Sequence, residues 1–429
     1  MPNSLRLRLG LCAIFAAPAA AILPGTASAA VLTVCTAGPP TCQFATVSGA
    51  VAASADGDVL LIGPGSFAGG FTITTDVNLV GSGAGSTEIL GGGTGVTVAT
   101  GADVIIRHLT ITQATGSGLV NDGTLVVRRS VISENGSGFT SPDAGGILNS
   151  GTLTLNDIAV SNNDGIAAGG LENHGSAVIV GSSFSDNSAA FDAGAILNFG
   201  DVVFRDGTMS SNGSQGAGSW NMAGSMTVIN SFLTGNSGGN NFGAIANGDF
   251  ANGAASLVVR GTTITGSSSF QGAGIANLAG STASVSDSLI AFNEARDGGG
   301  IQSAGSLTLT NTDVVFNTAQ RGGGIKVVDG SLVVRDSSIT NNEATDSNGH
   351  GGGVEVEQGN ALIVRTDVSS NTAANGGGIA NRPDGNLTLR FDTITFNTAV
   401  TGGGVLNEGT ITRVGTTFAG NVGGDCVGC

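Results

Sequence analysis

Residues 316–324 of the chain read FNTAQRGGG, and residues 396–404 read FNTAVTGGG. The two copies begin 80 residues apart, and looser copies of the same phrase lie between them. A phrase that recurs at a regular spacing is the signature of a fold in which one small unit is stacked on the next. The first question is therefore which structural role each residue of this repeated phrase has.

Three series of residues share one period. An apolar residue follows each cluster of small residues at Val96, Leu119, Ile147, Leu171, Ile196, Trp220, Ile245, Ile275, Ile301, Ile325, Val354, Ile379 and Val405. An asparagine lies three positions after another apolar residue at Asn135, Asn163, Asn187, Asn212, Asn236, Asn293, Asn317, Asn342, Asn371, Asn397 and Asn421, with Ser267 in the one gap. A second asparagine lies two positions after the first series at Asn121, Asn149, Asn173, Asn198, Asn247, Asn277, Asn381 and Asn407. Such agreement indicates a repeated structural unit of roughly two dozen residues.

Short alternating runs within each unit, such as LTLT at 307–310 and LVVR at 332–335, are typical of strands. A propeller blade needs about 40 residues, and the leucine-rich repeat consensus is missing. We therefore predict an all-β fold, a single-stranded right-handed parallel β-helix (solenoid) of about 14–15 coils, roughly 70 Å long, with a short N-terminal capping helix.

This fold suggests a structural role for the repeated phrase. The apolar residue, as in Phe316 and Phe396, is expected to point into the core, and the asparagine after it to stack on the asparagine of the next coil. The glycines turn the chain, and Ile325 or Val405 returns it to the core. The stacked amides together are expected to contribute several kcal/mol, at about 0.2–1 kcal/mol for each pair.

The expected organisation has three parts. Residues 1–29 resemble a secretory signal peptide, because Arg6 and Arg8 precede an apolar run that ends in Ala-Ser-Ala. Residues 30–56 form an N-terminal cap with a short helix within 43–54. Residues 57–429 form the β-helix and a small C-terminal cap. Longer spacings predict loops at 139–144, 247–255 and 345–352.

The net charge of the chain limits the classes of molecule that it is expected to bind. The net charge is −16, and it becomes −18 without the two arginines of the signal segment. An acidic surface argues against nucleic acid and anionic lipid as partners, although solubility alone would also explain the charge. After the signal segment no apolar run is long enough to span a membrane. A secreted or cell-surface-associated protein is predicted.

Four cysteines remain after the signal segment: Cys35 and Cys42 near one end, and Cys426 and Cys429 near the other. Export permits disulfides, so a local disulfide at each end is expected, with the pairing of Cys429 left open. A zinc site would need four ligands, and no second Cys or His pair lies near the closing CVGC. No metal site and no cofactor are predicted.

Two families share parts of this pattern. GDVLLIGPGSF at 57–67 and the strand segment at 71–89 resemble the opening coil of secreted pectin-lyase-like β-helix proteins, with Phe67 as the usual aromatic residue. FSDN at 184–187 before AGAI, and FAGN at 418–421, resemble the repeats of chlamydial polymorphic outer-membrane proteins. The resemblance implies a β-helix over nearly all of residues 31–425. It implies little about activity, since this fold carries many functions.

The sharpest catalytic candidates are RTD at 365–367 and RFD at 390–392. By the repeat spacing, Arg365 would stack on Arg390 and Asp367 on Asp392. Two carboxyl groups on adjacent coils could share a proton, as acid–base catalysis of glycoside hydrolysis requires. The alternative, which we favour, is a surface lattice in which each arginine neutralises a neighbouring aspartate.

Other polar residues allow the same two interpretations. Glu357, Arg382 and Glu408 form an outward row, as do Lys326 and Glu355, and a surface lattice explains both. His108, His174 and His350 fall in different coils, so no catalytic or metal triad is expected. Asp346, Asn348 and His350 share a loop without a known calcium motif. Trp220, the only tryptophan, is assigned to the core.

The sequence therefore favours an exported bacterial β-helix repeat protein that acts as a structural or adhesive module without catalysis. Its partner would be an extracellular glycan or a host or cell-surface protein. The alternative is a polysaccharide lyase or glycoside hydrolase of the pectin-lyase-like fold that acts on an acidic glycan. A third alternative is a passenger held noncovalently by an envelope partner.

Overall fold

A computed structural model describes residues 29–136, 144–250 and 254–429. The chain winds into a parallel β-solenoid of about 15 turns with three parallel sheets running along its axis, which confirms the predicted β-helix class. Residues 1–28 of the expected signal segment, most of the loop at 139–144 and part of the loop at 247–255 lie outside the described residues. None of the helical structure in the described ranges is long and apolar enough to cross a lipid bilayer.

Sheet A has 29 strands in two columns. Its short-strand column contains Phe71–Ile73, Val96–Val98, Leu119–Asn121, Ile147–Asn149, Leu171–Asn173, Ala193–Asn198, Ala217–Asn221, Ile245–Asn247, Ile275–Asn277, Ile301–Ser303, Ile325–Val327, Val405–Asn407 and Cys426–Val427. Its long-strand column contains Val31–Val34, Asp58–Ile62, Val77–Gly81, Asp103–Arg107, Thr124–Arg128, Thr152–Asn156, Ser176–Val180, Asp201–Arg205, Gly224–Ile229, Ala255–Arg260, Thr282–Ser286, Ser306–Thr310, Ser331–Arg335 and Thr410–Val414. Val354–Val364 and Ile379–Arg390 run through both columns.

Sheet B has 15 strands and sheet C has eight. The strands of sheet B are Gly65–Ala68, Thr87–Leu90, Thr110–Thr112, Val131–Ser133, Ala159–Ser161, Ser183–Ser185, Thr208–Ser210, Phe232–Thr234, Thr263–Thr265, Leu289–Ala291, Asp313–Val315, Ser338–Thr340, Asp367–Ser369, Thr393–Thr395 and Thr417–Ala419. Those of sheet C are Asp164–Gly165, Ser188–Ala189, Gly213–Ser214, Ser237–Phe242, Ser268–Gln271, Glu294–Asp297, Thr318–Arg321 and Glu343–Ala344. Each coil passes through the short-strand column, the long-strand column, sheet B and, in the middle of the rod, sheet C.

Alternation along each strand sends every second side chain into a continuous apolar core. Leu332, Val334 and Ile339 of one coil are all less than 2% exposed. At the N-terminal end the core is closed by the helix Val47–Ala53, the expected cap, which buries Val47, Ala50 and Val51. Burying these side chains is the main stabilising term, since no strand this short could persist alone.

The asparagines that follow sheet B form a buried hydrogen-bonded ladder. Asn293 Nδ2 donates to Asn317 Oδ1 at 3.0 Å, and Asn317 Nδ2 donates to Asn342 Oδ1 at 3.0 Å. The same bond links all neighbouring asparagines of this series on either side of Ser267. At the gap, the buried Ser267 Oγ has no hydrogen-bond partner in the described part of the chain.

A second ladder lies at the end of the short-strand column. Asn198 Nδ2 donates to Asn221 Oδ1 at 2.7 Å, and Asn221 Nδ2 donates to Asn247 Oδ1 at 2.8 Å. Sequence spacing does not place Asn221 in this series, because Ser219, not Trp220, pairs with Ile245 in this coil. The shift of one residue moves the ladder position to Asn221.

The phenylalanines of the repeated phrase point outward, contrary to the prediction. Phe316 and Phe396 are 48% and 66% exposed, and both adopt left-handed backbone conformations with φ near 55°. The residues that point into the core are Val314 and Ile394, two positions earlier. The left-handed residue interrupts the alternation of the strand, so the side chain that precedes each asparagine leaves the coil.

The three glycines of the repeated phrase are needed for two different reasons. Gly322 has a positive φ of 62°, which favours glycine. Gly323 and Gly324 instead pack against the backbone of the next coil, where a Cβ on Gly324 would lie 2.6 Å from the carbonyl oxygen of Gly353. The phrase therefore encodes a turn that lets consecutive coils approach closely.

Candidate functional site

The structure does not stack the two Arg-x-Asp motifs on each other. Arg390 pairs with Val364, and Asp367 pairs with Thr393. The cause is a register shift in the preceding strands: Val356 pairs with Asn381, 25 residues on, whereas Gln358 pairs with Asp384, 26 residues on. One extra residue in the later coil displaces everything that follows it.

Arg365 and Asp392 of these motifs have different hydrogen-bond partners. Arg365 forms two bonds to Asp336 of the preceding coil, from Nε at 2.6 Å and from Nη2 at 2.7 Å. Asp392 is buried and accepts hydrogen bonds from the backbone N–H groups of Thr366 and Arg390, at 3.0 and 2.7 Å. Burial raises the pKa of Asp392 to about 6, although these two hydrogen bonds act in the opposite direction and lower it. These contacts hold adjacent coils together, and the two aspartates of the motifs do not share a proton.

A column of outward-facing residues in sheet A is buried, although alternation places it on the surface. It consists of the outward residues in register with Glu172 along the short strands, which we call the covered column: Glu172, Leu197, Trp220, Ala246, Ala276, Gln302, Lys326, Glu355, Ala380 and Leu406. All are buried except the half-buried Gln302. The glycine turn before each strand folds over it, so that a Cβ on Gly322 would lie 2.6 Å from the Cβ of Lys326. Lys326 and Glu355 are each 3% exposed as a result.

These two residues belong to a buried charged cluster. Lys326 Nζ lies 2.9 Å from Asp297 Oδ1, 3.1 Å from Glu357 Oε2 and 3.9 Å from Glu355 Oε2. Arg321 Nη2 also lies 2.8 Å from Asp297 Oδ1. The expectation of a solvated surface lattice is therefore wrong for Lys326 and Glu355, and the signal that could have revealed it is the glycine turn in front of each strand.

Glu355 is the group in this cluster with the most perturbed acidity. Burial raises its pKa to about 7, and the charge of Lys326 opposes that rise. Its Oε2 and the Oε1 of Gln302 on the covered column are both buried without a hydrogen-bond partner in the described ranges. A carboxyl group that titrates near neutral pH is chemically suited to accept or donate a proton.

We expect Glu355→Gln to flatten the pH dependence of stability between about pH 4.5 and pH 7. The folded protein retains a proton that the unfolded chain, with a pKa near 4.5, has already lost. The associated stability is complete below pH 4.5 and is lost as the pH rises through 7, by at most about 3 kcal/mol. Urea denaturation from pH 4 to pH 8 measures this change.

The matched control is Glu357→Gln, which removes a half-exposed carboxylate from the same lysine. It should retain the pH dependence that Glu355→Gln removes. Equal slopes in the wild type and in Glu355→Gln would contradict the assignment of this titration to Glu355.

The predicted loop at 345–352 brings His350 to Arg382, not to a set of metal ligands. Arg382 Nη1 lies 3.0 Å from His350 Nε2 and 2.8 Å from Glu408 Oε2. Burial, together with the charge of Arg382, lowers the pKa of His350. Within the described ranges no three His, Cys, Asp or Glu residues are grouped so that they could hold a metal ion.

Trp220 is buried, but on the outside of sheet A and not in the main core. Its register partners are Leu197 and Ala246 of the covered column, and its Nε1 donates to Gly248 O at 2.7 Å. Its ring packs at 80° against that of Phe242. The core assignment from the sequence is thus corrected to a second, smaller apolar cluster under the turns.

The N-terminal cysteines Cys35 and Cys42 form a disulfide, and Cys426 and Cys429 form another. Each bond closes a short loop at one end of the described rod. Neither pair lies near the charged cluster, so the cysteines have a structural role in this arrangement.

The outer face of sheet B carries a long row of hydroxyl groups. We call its second outward position in each strand the hydroxyl column, occupied by Thr112, Ser133, Ser161, Ser185, Ser210, Thr234, Thr265, Thr340, Ser369 and Thr395. Within the described ranges only Ser369 of this column makes a side-chain hydrogen bond, to Asp367 at 3.0 Å. Ala291 and Val315 interrupt the column in two successive coils.

From Thr110–Thr112 onward, one left-handed residue follows each strand of this face. In most coils it is polar or glycine: Gln113, Glu134, Asn162, Asp186, Ser211, Gly235, Gly266, Asn341, Ser370 and Gly420. In three coils it is phenylalanine, at Phe292, Phe316 and Phe396. A left-handed conformation is unfavourable for a bulky side chain, and such exceptions are concentrated at functional sites.

No family model matches the sequence, and no curated protein matches it. Solved structures that align with the chain include pectin methylesterase from carrot, at 15% identity and a TM-score of 0.38, covering 54% of this chain and 82% of that one. The A-module of Azotobacter vinelandii mannuronan C-5 epimerase AlgE6 aligns at 15% identity and a TM-score of 0.31, covering 86% of this chain and 93% of that one. The AlgE4 A-module aligns at 14% and 0.25, covering 87% and 91%.

Similarities this low assign no activity to the chain. The fold rests on the chain's own strand pairings, and the sequence resemblance to polymorphic outer-membrane proteins stays a prediction.

Proposed function

We propose that this protein is an exported, extracellular or surface-associated structural and adhesive module that acts by binding and not by catalysis. The observation that carries the proposal is the hydroxyl column. Apart from Ser369, its members have side-chain hydroxyl groups with no hydrogen-bond partner among the described residues, repeated at the strand spacing of about 4.8 Å along the rod. An extended partner lying parallel to the axis could use many of them at once.

The scaffold is suited to this role. Two buried asparagine ladders and a continuous core fix each coil on the next, so the spacing of the hydroxyl groups is set by backbone hydrogen bonds. Export is supported by the pattern at residues 1–29 and by the disulfide of Cys35 with Cys42, since such bonds persist in oxidising compartments.

The test is retention of purified protein (residues 30–429) on bacterial cell walls and extracellular matrix. A triple variant, Ser161→Ala, Ser185→Ala and Ser210→Ala, removes consecutive hydroxyl groups from sheet B and should weaken retention severalfold. The control, Ser176→Ala with Thr282→Ala, removes exposed hydroxyl groups from the long-strand column of sheet A. Absence of retention in the wild type, or equal loss in both variants, would refute the proposal.

A second candidate function is cleavage of an acidic glycan by a lyase or glycosidase, and Glu355 is the observation that favours it. A carboxyl group with a pKa of about 7 beside Lys326 could transfer a proton at neutral pH. Acidic polysaccharides incubated with the protein, with and without calcium, test this function. Release of unsaturated or reducing ends that Glu355→Gln abolishes would replace the non-catalytic proposal.

A further inference from the structure

A notch opens on the outer surface where the hydroxyl column meets the phenylalanines. Gly235 and Gly266 form its floor, both with left-handed φ values near 60°. A Cβ built on Gly266 would find its nearest neighbours, Gly235 N and Thr234 Oγ1, only at 3.8 Å. Apart from its chain neighbours, no other heavy atom of the described residues lies within 4 Å of that Cβ position.

The ring of Phe292 forms one wall of this notch. One face of the ring is stacked on Phe316, with centroids 5.1 Å apart and planes within 2° of parallel. The coil on the other side has Gly266 at the equivalent position, which has no side chain to cover the second face. Phe292 is 62% exposed, which leaves a large apolar ring in contact with water.

Structural stabilisation does not explain this residue well. The turn demands a left-handed conformation, which Asn162 and Asn341 adopt at the equivalent position without a bulky exposed ring. Phe292 therefore combines an unfavourable backbone with apolar exposure. Phe396 shares this combination, but its ring lies over Gly420, whereas Phe292 has one ring face open beside Gly266, where a ligand could cover it.

Two hydroxyl groups of the hydroxyl column stand beside the notch. Thr234 and Thr265 are register partners on adjacent strands, immediately before Gly235 and Gly266. Neither side chain makes a hydrogen bond within the described ranges. An aromatic face next to free hydroxyl groups matches the chemistry of a sugar ring, which has an apolar C–H face and a polar rim.

The charges around the notch indicate which sugars would fit. The described strands of sheet B carry no lysine or arginine at their outward positions, whereas Glu294, two residues after Phe292, and Asp313, in register with Leu289, are acidic. The nearby cation Arg296 already pairs with Asp297 at 3.4 Å and lies over the ring of Phe270. A uronic acid would bring its carboxylate to an acidic region whose nearby cation, Arg296, is already paired with Asp297. A neutral sugar meets no such repulsion.

We propose that the notch formed by Phe292, Gly266 and the hydroxyl groups of Thr234 and Thr265 is a subsite for one ring of a neutral polysaccharide. The chain of sugars runs along the rod and bonds to further members of the hydroxyl column. This inference rests on the proposed adhesive function and specifies its partner.

Affinity electrophoresis through gels that contain a neutral polysaccharide (β-glucan, xylan or glucomannan) or a polyuronate tests the proposal. We expect at least one neutral polysaccharide to retard the wild type, and Phe292→Ala to weaken that binding about fivefold, as the loss of one aromatic contact implies. Phe396→Ala is the matched control, since Phe396 occupies the same left-handed position but lies over Gly420, away from the notch.

A second variant separates binding from folding. Gly266→Asn fills the notch with a residue that tolerates the left-handed conformation, and it leaves Phe292 in place. It should abolish retardation while thermal unfolding is unchanged. Retardation by the polyuronate alone, or equal effects of Phe292→Ala and Phe396→Ala, would overturn the subsite. Retention on cells that neutral polysaccharides do not compete would also overturn it, while leaving the proposed adhesive function intact.

Discussion

Gly323→Ala is expected to destabilise the protein strongly, although it adds only one methyl group. The added Cβ would lie 2.5 Å from Glu343 O and 2.6 Å from Gly352 O, both backbone atoms of the next coil. Neither atom can move without breaking the parallel hydrogen bonds around it, so the two coils must separate. We expect a loss of about 4 kcal/mol or more, larger than ordinary overpacking.

The measurement is urea denaturation followed by circular dichroism, together with hydrogen exchange of the amides in the adjacent coils. Stacked repeats need not unfold in a single step, and exchange shows where the opening occurs. Gly85→Ala is the control, because its added Cβ would have no atom within 4 Å and its φ is not left-handed. A Gly323→Ala protein as stable as Gly85→Ala would contradict the close-packing explanation of the glycine cluster.

Asn317→Ala is expected to have an effect of similar size. Asn317 Oδ1 accepts from the side chain and the backbone N–H of Asn293, both at 3.0 Å. Its Nδ2 donates to Ile290 O at 2.9 Å and to Asn342 Oδ1 at 3.0 Å. Alanine leaves these buried groups without partners, and at about 1–3 kcal/mol for each we expect a total loss of about 4 kcal/mol, since some groups will find water.

The control for this variant is Gln320→Ala, which removes an exposed amide from the same coil. The converse test is Ser267→Asn, which would replace the unpartnered Ser267 Oγ with an amide that continues the ladder from Asn236 to Asn293. We expect it to raise the unfolding free energy by about 1 kcal/mol. The ladder would lose its assigned role if Asn317→Ala matched Gln320→Ala in stability.

The fold could be predicted because its determinants are local and periodic. The apolar residue three positions before each asparagine, such as Ile339 before Asn342, does point into the core. The asparagines recur because each needs the next one in the same place. The periodic rows of apolar residues and asparagines can be recognised even where loop lengths vary, because an insertion outside a strand does not change the alternation within that strand.

The site could not be predicted to the same extent, for three physical reasons. The left-handed residue before each asparagine reverses the expected direction of Phe316, and alternation alone does not reveal such a turn. A single extra residue near Asn381 displaced the Arg-x-Asp motifs, whose nominal spacing of 25 suggested a stack. Burial of Lys326 depends on a turn that folds over it, which is a tertiary contact.

The direction of the asparagine bonds gives the whole rod an electrical polarity. In both ladders the donor amide points toward the C-terminal end, as from Asn135 to Asn163 and from Asn121 to Asn149. Aligned amide dipoles add in the way that peptide dipoles add along an α-helix, leaving partial positive charge at the donor end. The last donor, Asn421 Nδ2, meets the carboxylate of Asp425 at 2.8 Å. The protein thus places an anion at the positive pole of its own ladder.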